Sequence, residues 1–148
     1  MPKVDLAAHP LVSRTGYPAP HDAAVAGRHV ARLGPAAGLG DFGVSHVRLD
    51  PGAWSSQRHW HEAEDEVVVM LEGEAVLVEE DARTMLRAGD IATFAKGVAN
   101  GHHLVNESDR PARFLAFGRV PAGACHYPDI DLAFSLATGF TRRDGSSF

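Results

Sequence analysis

The sequence predicts an all-β domain, and three observations carry that prediction. Between positions 42 and 119, short apolar or alternating runs recur roughly every 8–12 residues, the spacing of a sandwich or barrel. Turn chemistry divides them at Asp50-Pro51-Gly52, Glu72-Gly73, Glu80-Asp81, Ala88-Gly89-Asp90 and Lys96-Gly97. No amphipathic stretch of about 10–15 residues intervenes to supply the crossover helices of an α/β fold.

Taken in order, residues 1–40 hold Tyr17-Pro18-Ala19-Pro20 and Gly34-Pro35-Ala36-Ala37-Gly38, where prolines interrupt any helical period. They are expected to form an N-terminal arm packed on the barrel, with a disordered tail as the alternative. The barrel is assigned to 41–120, with strands at 43–49, 53–60, 66–71, 74–79, 83–86, 91–94, 102–106 and 112–118. In Val67-Val68-Val69-Met70-Leu71 both alternating faces are apolar, so both are expected to be covered. The same holds for Phe114, Leu115 and Phe117. A homodimer, or the arm folded back over its own sheet, would supply that cover. Residues 121–148 read as an extended, loop-rich extension of the same domain that crosses the barrel.

Composition narrows the function. A chain of 148 residues suits one domain, and 45% apolar with 22% charged residues argues against disorder. The single cysteine, Cys125, excludes an internal disulfide framework. A net charge of −5 with no basic block disfavours nucleic acid as a partner. The opening residues lack the apolar run of a signal peptide, and no segment has the ~20 apolar residues of a membrane span, so a cytoplasmic protein is expected. The motifs G-x-S-x-G and G-x-x-x-x-G-K are both missing from the chain.

The nine histidines hold the chemistry. In His59-Trp60-His61, residues i and i+2 of a strand project to one face, so the two imidazoles point together. Glu66 opens the next strand after an acidic loop, and His102 or His103 adds a third imidazole about forty residues on. Alternation puts His102, Leu104 and Asn106 on one face and His103 and Val105 on the other. His102 is preferred, with His103 as the alternative. Such a set suits a divalent transition ion, Fe, Mn, Ni or Zn, because an ion offsets the desolvation of buried imidazoles and carboxylate. The competing reading is a cavity of hydrogen-bonded polar residues that holds no metal.

The run from Gly52 through His59, His61 and Glu66 to Gly73 resembles the first motif of the cupin superfamily, with one extra residue between Gly52 and His59. Gly89 through Phe94, then Lys96-Gly97, His102 and Asn106, resembles the second motif. There Ala95 stands in place of the proline, two residues are added before His102, and the usual spacing would fall on Asn100. The resemblance implies a double-stranded β-helix, or jelly-roll barrel, and a metal held by His59, His61, Glu66 and His102. Cupins include dioxygenases, isomerases, epimerases, decarboxylases, sensory domains and storage proteins, so the reaction stays open. Residues 99–106 with Tyr127-Pro128-Asp129-Ile130-Asp131 look like a group of small bacterial cupins, some of which carry sugar-phosphate isomerase labels by analogy.

The expected partner is a small-molecule ligand, an organic acid or sugar derivative, acted on by dioxygenase-type or isomerase-like chemistry. The alternative is a non-catalytic ligand-binding or sensory module. Gln57 shares the expected inward face with His59 and is the candidate substrate contact. Glu62, Glu64 and Asp65 read as solvated loop acids, Trp54 and Trp60 as outward packing, and His46 as structural. Arg48, Arg58, Arg113 and Arg119 default to the surface, and Cys125 has no evident nucleophilic context.

Overall fold

Alternating side chains and tight turns generate three antiparallel sheets in the computed structural model, which describes residues 3–119 and 122–148. The boundary drawn at 120/121 falls outside them. The largest sheet runs β1-β2-β9-β4-β7, comprising Arg28–Arg32, Phe42–Leu49, Ala112–Arg119, Glu66–Glu72 and Ile91–Phe94. A three-stranded sheet orders β6 (Arg83–Arg87), β5 (Glu74–Val78) and β8 (His103–Val105). The third orders β12 (Gly139–Thr141), β11 (Leu132–Ser135), β10 (Cys125–Tyr127) and β3 (Trp60–His61). The only α-helix among the described residues is the four-residue α1, Leu33–Ala36. Among the described residues no helix is long and apolar enough to cross a membrane.

The inward faces meet in one core. Val47 and Leu49 of β2, Val68 and Met70 of β4, Ala75 and Leu77 of β5, Leu104 of β8 and Phe114 of β9 are all buried and packed together. Leu49 is wholly buried and Met70 is 1% exposed. Burial of this apolar surface is the main force closing the barrel. Gly73, in the β4–β5 turn, has φ +71°, and a Cβ there would lie 2.7 Å from the Pro111 carbonyl oxygen. Only glycine combines that conformation with that approach.

Four features depart from the sequence reading. The arm contains a true strand: β1 pairs with β2 over five residues, and Val12 bridges to Val30 on its free edge. The C-terminal extension carries three short strands, with β10 pairing to β3 beside the candidate ligands. Segment 53–60 is not one strand, because the Ser55 hydroxyl accepts the Leu104 N–H at 2.9 Å and interrupts the ladder. Only the isolated bridges Trp54 to Val105 and His59 to His102 remain before β3. Finally, the outer face of β4 is only half-covered by this chain: Val67 and Val69 are intermediate and Leu71 is 46% exposed.

Candidate metal centre

His59 precedes β3, His61 ends it, Glu66 opens β4, and His102 precedes β8. Three stretches of chain therefore meet at one point. The Nε2 atoms of His59 and His61 lie 3.1 Å apart. Glu66 Oε2 is 3.0 Å from His102 Nε2 and 3.5 Å from His61 Nε2. The donor atoms of His59, Glu66 and His102 all fall within 4.8 Å of one another. Donors sharing an ion at ~2.1 Å sit about 3.0 Å apart for right-angled ligands and ~3.4 Å apart for tetrahedral ones. The shorter separations match those edges.

Neighbouring groups assign the free lone pairs. His59 Nδ1 donates to the Gln57 carbonyl at 2.9 Å, with the Ser56 hydroxyl at 3.2 Å, so its Nε2 carries no proton while the ring is neutral. His61 Nδ1 lies 2.7 Å from Glu64 Oε2, which favours a proton there and frees Nε2. Two lone pairs 3.1 Å apart repel unless a cation or proton lies between them. The donor set thus fits a divalent ion. The His102 ring stacks on Phe94, centroids 3.6 Å apart and planes 4° from parallel, which fixes its orientation.

Electrostatics agree. Burial drives the His59 pKa down to about 4, assisted by the neighbouring His102 and His61. Burial raises the Glu66 carboxyl, but its bonds to His102 and His61 outweigh that and hold it well below the usual carboxylate range. Burial opposes charge on His61, yet the Glu66 and Glu64 carboxylates raise its pKa overall. His59 therefore offers an unprotonated nitrogen and Glu66 an ionised carboxylate, the forms in which these groups ligate metals, while at His61 an ion competes with a proton.

His103 lies elsewhere. It pairs with Val78 of β5 and its ring stacks on Trp54 with centroids 4.4 Å apart. Burial lowers its pKa to about 4. Gln57 is also turned away from the cavity: its amide donates to the His21 carbonyl at 2.8 Å, tying down the N-terminal segment. That follows from the break in strand 53–60, which puts consecutive Ser55 and Ser56 on the cavity wall. Glu64 corrects the expectation of a solvated acid. It is 5% exposed, faces His61, and accepts the Ala122 N–H at 2.7 Å. Glu62 is instead exposed, bonded to His126 at 2.7 Å, and that imidazole stacks on Trp60.

Cys125 is the group the sequence did not connect to this point. Its Sγ lies within 4.8 Å of donor nitrogens of His59 and His61, because β10 pairs Cys125 directly with His61. Burial pushes its thiol up to about 12, so it is protonated in the absence of an ion. In the sequence Cys125 stands two residues before Tyr127, a signal too weak to use. The donors open onto a cavity of about 790 Å³ inside the barrel, lined also by Tyr17, Arg28, Ser55 and Phe114.

The family model for the cupin domain matches residues 45–118. A crystal structure of a cupin-superfamily sugar phosphate isomerase from Silicibacter pomeroyi DSS-3 is 43% identical in sequence. The match covers 99% of this chain and 96% of that one, with a TM-score of 0.92. The chain belongs to the cupin superfamily. A cupin 2 conserved barrel domain protein from Salinispora arenicola is 28% identical over 63% of this cupin and 76% of its own chain, TM-score 0.55. A polyketide cyclase from Streptomyces resistomycificus, 18% identical, shares the fold over 88% of this cupin and 87% of its own chain, TM-score 0.71. Among curated proteins none matches.

Proposed function

We propose that this cupin is a metal-dependent isomerase of a small sugar derivative, with a divalent transition ion held by His59, His61, Glu66 and His102. The carrying observation is the convergence of these donors, at 3.0–3.5 Å contacts, on a cavity of about 790 Å³. That volume lies within the range of small-molecule sites, about 300–1,000 Å³. The likeness to the Silicibacter pomeroyi protein, across nearly the whole of both chains, supports isomerase chemistry over oxygen-dependent cleavage.

Bound there, a divalent ion supplies a Lewis acid that polarises a carbonyl or hydroxyl of the substrate. The chain's own residues do the rest. Glu64 orients His61, the Gln57 carbonyl orients His59, and Phe94 holds the His102 ring. Tyr17, packed edge-on against Tyr127, forms part of the cavity wall. The barrel's apolar wall, including Val68, Leu104 and Phe114, limits the water around the bound molecule.

The test is metal analysis of the purified, metal-reloaded chain, followed by an isomerase screen of aldose and ketose phosphates read by NMR. The expected result is about one ion per chain and turnover abolished by Glu66→Gln. Less than about 0.1 ion per chain after reloading would remove the metal reading. Saturable binding without turnover would make the chain a ligand-binding module instead.

A further inference from the structure

Three arginines, Arg14, Arg28 and Arg32, line the same cavity as the histidine and glutamate donors. Two of them arise from the period of β1. Residues i, i+2 and i+4 of a strand share a face, so Arg28, Val30 and Arg32 all lie on the cavity side of β1, with Arg32 still exposed. Arg14 joins them from the segment beyond Val12, which bridges to Val30.

Their surroundings differ from those of six other arginines. Arg48, Arg58, Arg83, Arg87, Arg110 and Arg113 each pair with a carboxylate. Among the described residues, Arg14, Arg28 and Arg32 pair with none. Arg28 is half-buried, and its guanidinium meets only backbone carbonyls, Ser55 O at 2.8 Å and Arg14 O at 3.4 Å. Its buried Nε has no partner. Burial and the neighbouring Arg32 both lower the Arg28 pKa, so its charge is held at a cost that an anion would relieve.

Among the described residues that line the cavity, Glu66 is the one carboxylate, and it is already engaged by His102 and His61. Three arginines, Arg28 half-buried and Arg14 and Arg32 exposed, therefore border one cavity with no unengaged carboxylate among its described lining residues to balance them. An ion on the donors would add further positive charge. A neutral sugar would leave this imbalance unanswered. A carboxylate would answer part of it, and a phosphate dianion would answer most, with oxygens enough for several guanidinium forks.

We infer that Arg28, with Arg14 and Arg32, forms a phosphate subsite that selects phosphorylated substrates at the proposed metal centre. The inference rests on the isomerase reading for its location but makes a separate claim, that specificity lies in β1 and the N-terminal segment. The ordering of this part of the chain is then functional as well as structural: β1 fixes the register that puts Arg28 and Arg32 on the cavity side.

The experiment titrates ribose 5-phosphate, ribonate and ribose against the zinc-loaded chain by calorimetry, and inorganic phosphate against zinc-loaded and chelator-treated chain. Ribose 5-phosphate is expected to bind at least about ten-fold more tightly than ribose or ribonate, and phosphate to bind with or without zinc. Arg28→Met, and the double variant Arg14→Gln/Arg32→Gln, should each erase most of that preference while metal content is unchanged. If Arg28→Met does not fold, the double variant decides, since both of its side chains are exposed. Equal affinity for ribose and its phosphate, variants that leave the preference intact, or phosphate binding only when zinc is present would each overturn the inference. Loss of metal or turnover with arginine-dependent phosphate binding intact would instead overturn only the isomerase reading.

Discussion

Asp129→Asn probes how the C-terminal segment holds the candidate site together. Arg58, whose side chain is 10% exposed, donates from Nε and one terminal nitrogen to the two Asp129 oxygens, both at 2.7 Å. It also reaches the Gly101 carbonyl at 3.3 Å. The pair thus binds the residues preceding His59 and His102 to a loop seventy-one positions further along the chain. Hydrogen bonds to charged groups contribute about 1.5–3 kcal/mol. The Asp129 side chain is 55% exposed, so solvent screening puts the expected loss at the lower end, ~1.5 kcal/mol. Unfolding entropy near 2.1 cal/mol/K per residue gives ~0.3 kcal/mol/K for a chain of this length, hence a Tm drop of about 5 °C. The Arg58 guanidinium bonded to Asp129 holds that carboxyl below its ordinary value. The native pKa is therefore lower than the unfolded one, near 3.9, so the stabilisation is complete well above pH ~4 and fades as pH falls through the lowered native value. Thermal melts of wild type and variant read by circular dichroism at neutral pH and at about pH 3 check both parts. A neutral-pH difference below ~1 °C, or one that grows on acidification, would refute the reasoning.

Three other outcomes follow from contacts already described. His102→Ala should remove most bound metal, whereas His103→Asn should leave the metal content at wild-type level, because His103 stacks on Trp54 away from the donors; elemental analysis separates them. Glu64→Gln, which loses the anionic partner of His61 Nδ1, should weaken metal affinity roughly 10–100-fold in a competition titration with a chromogenic chelator. Gly73→Ala should destabilise by at least ~1 kcal/mol in urea melts, since its φ of +71° is strained for alanine and the Cβ meets the Pro111 carbonyl oxygen; an unchanged midpoint would contradict that geometry.

Much of the architecture and the centre of the site was legible from residue order. Period-two alternation and glycine-marked turns are local properties, and they located the strands from β2 to β9 within a few residues, except around 53–60. His-x-His on a strand places two imidazoles together through the pleat alone, whatever the rest of the chain does. The spacing from Gly52 to Gly73 and the later His102 and Asn106 carried the family. Asn106 itself is wholly buried, and its amide bonds Leu49 O and Arg110 O, so its role is to fix a turn rather than to reach the cavity.

What only the tertiary structure decided depends on contacts between distant segments. Arg28–Arg32 contains two arginines and a histidine and has no apolar stripe, so its becoming a strand follows from the free edge of β2 that it pairs with. Cys125 arrives beside His61 through β10–β3 pairing, and Glu64 is buried because Ala122 folds over it. Gln57 points away because a serine hydroxyl breaks the local ladder, an event no alternation rule contains. Local periodicity is written in neighbouring residues. The partners across a barrel are chosen by which edges and faces remain unsatisfied once the chain has closed.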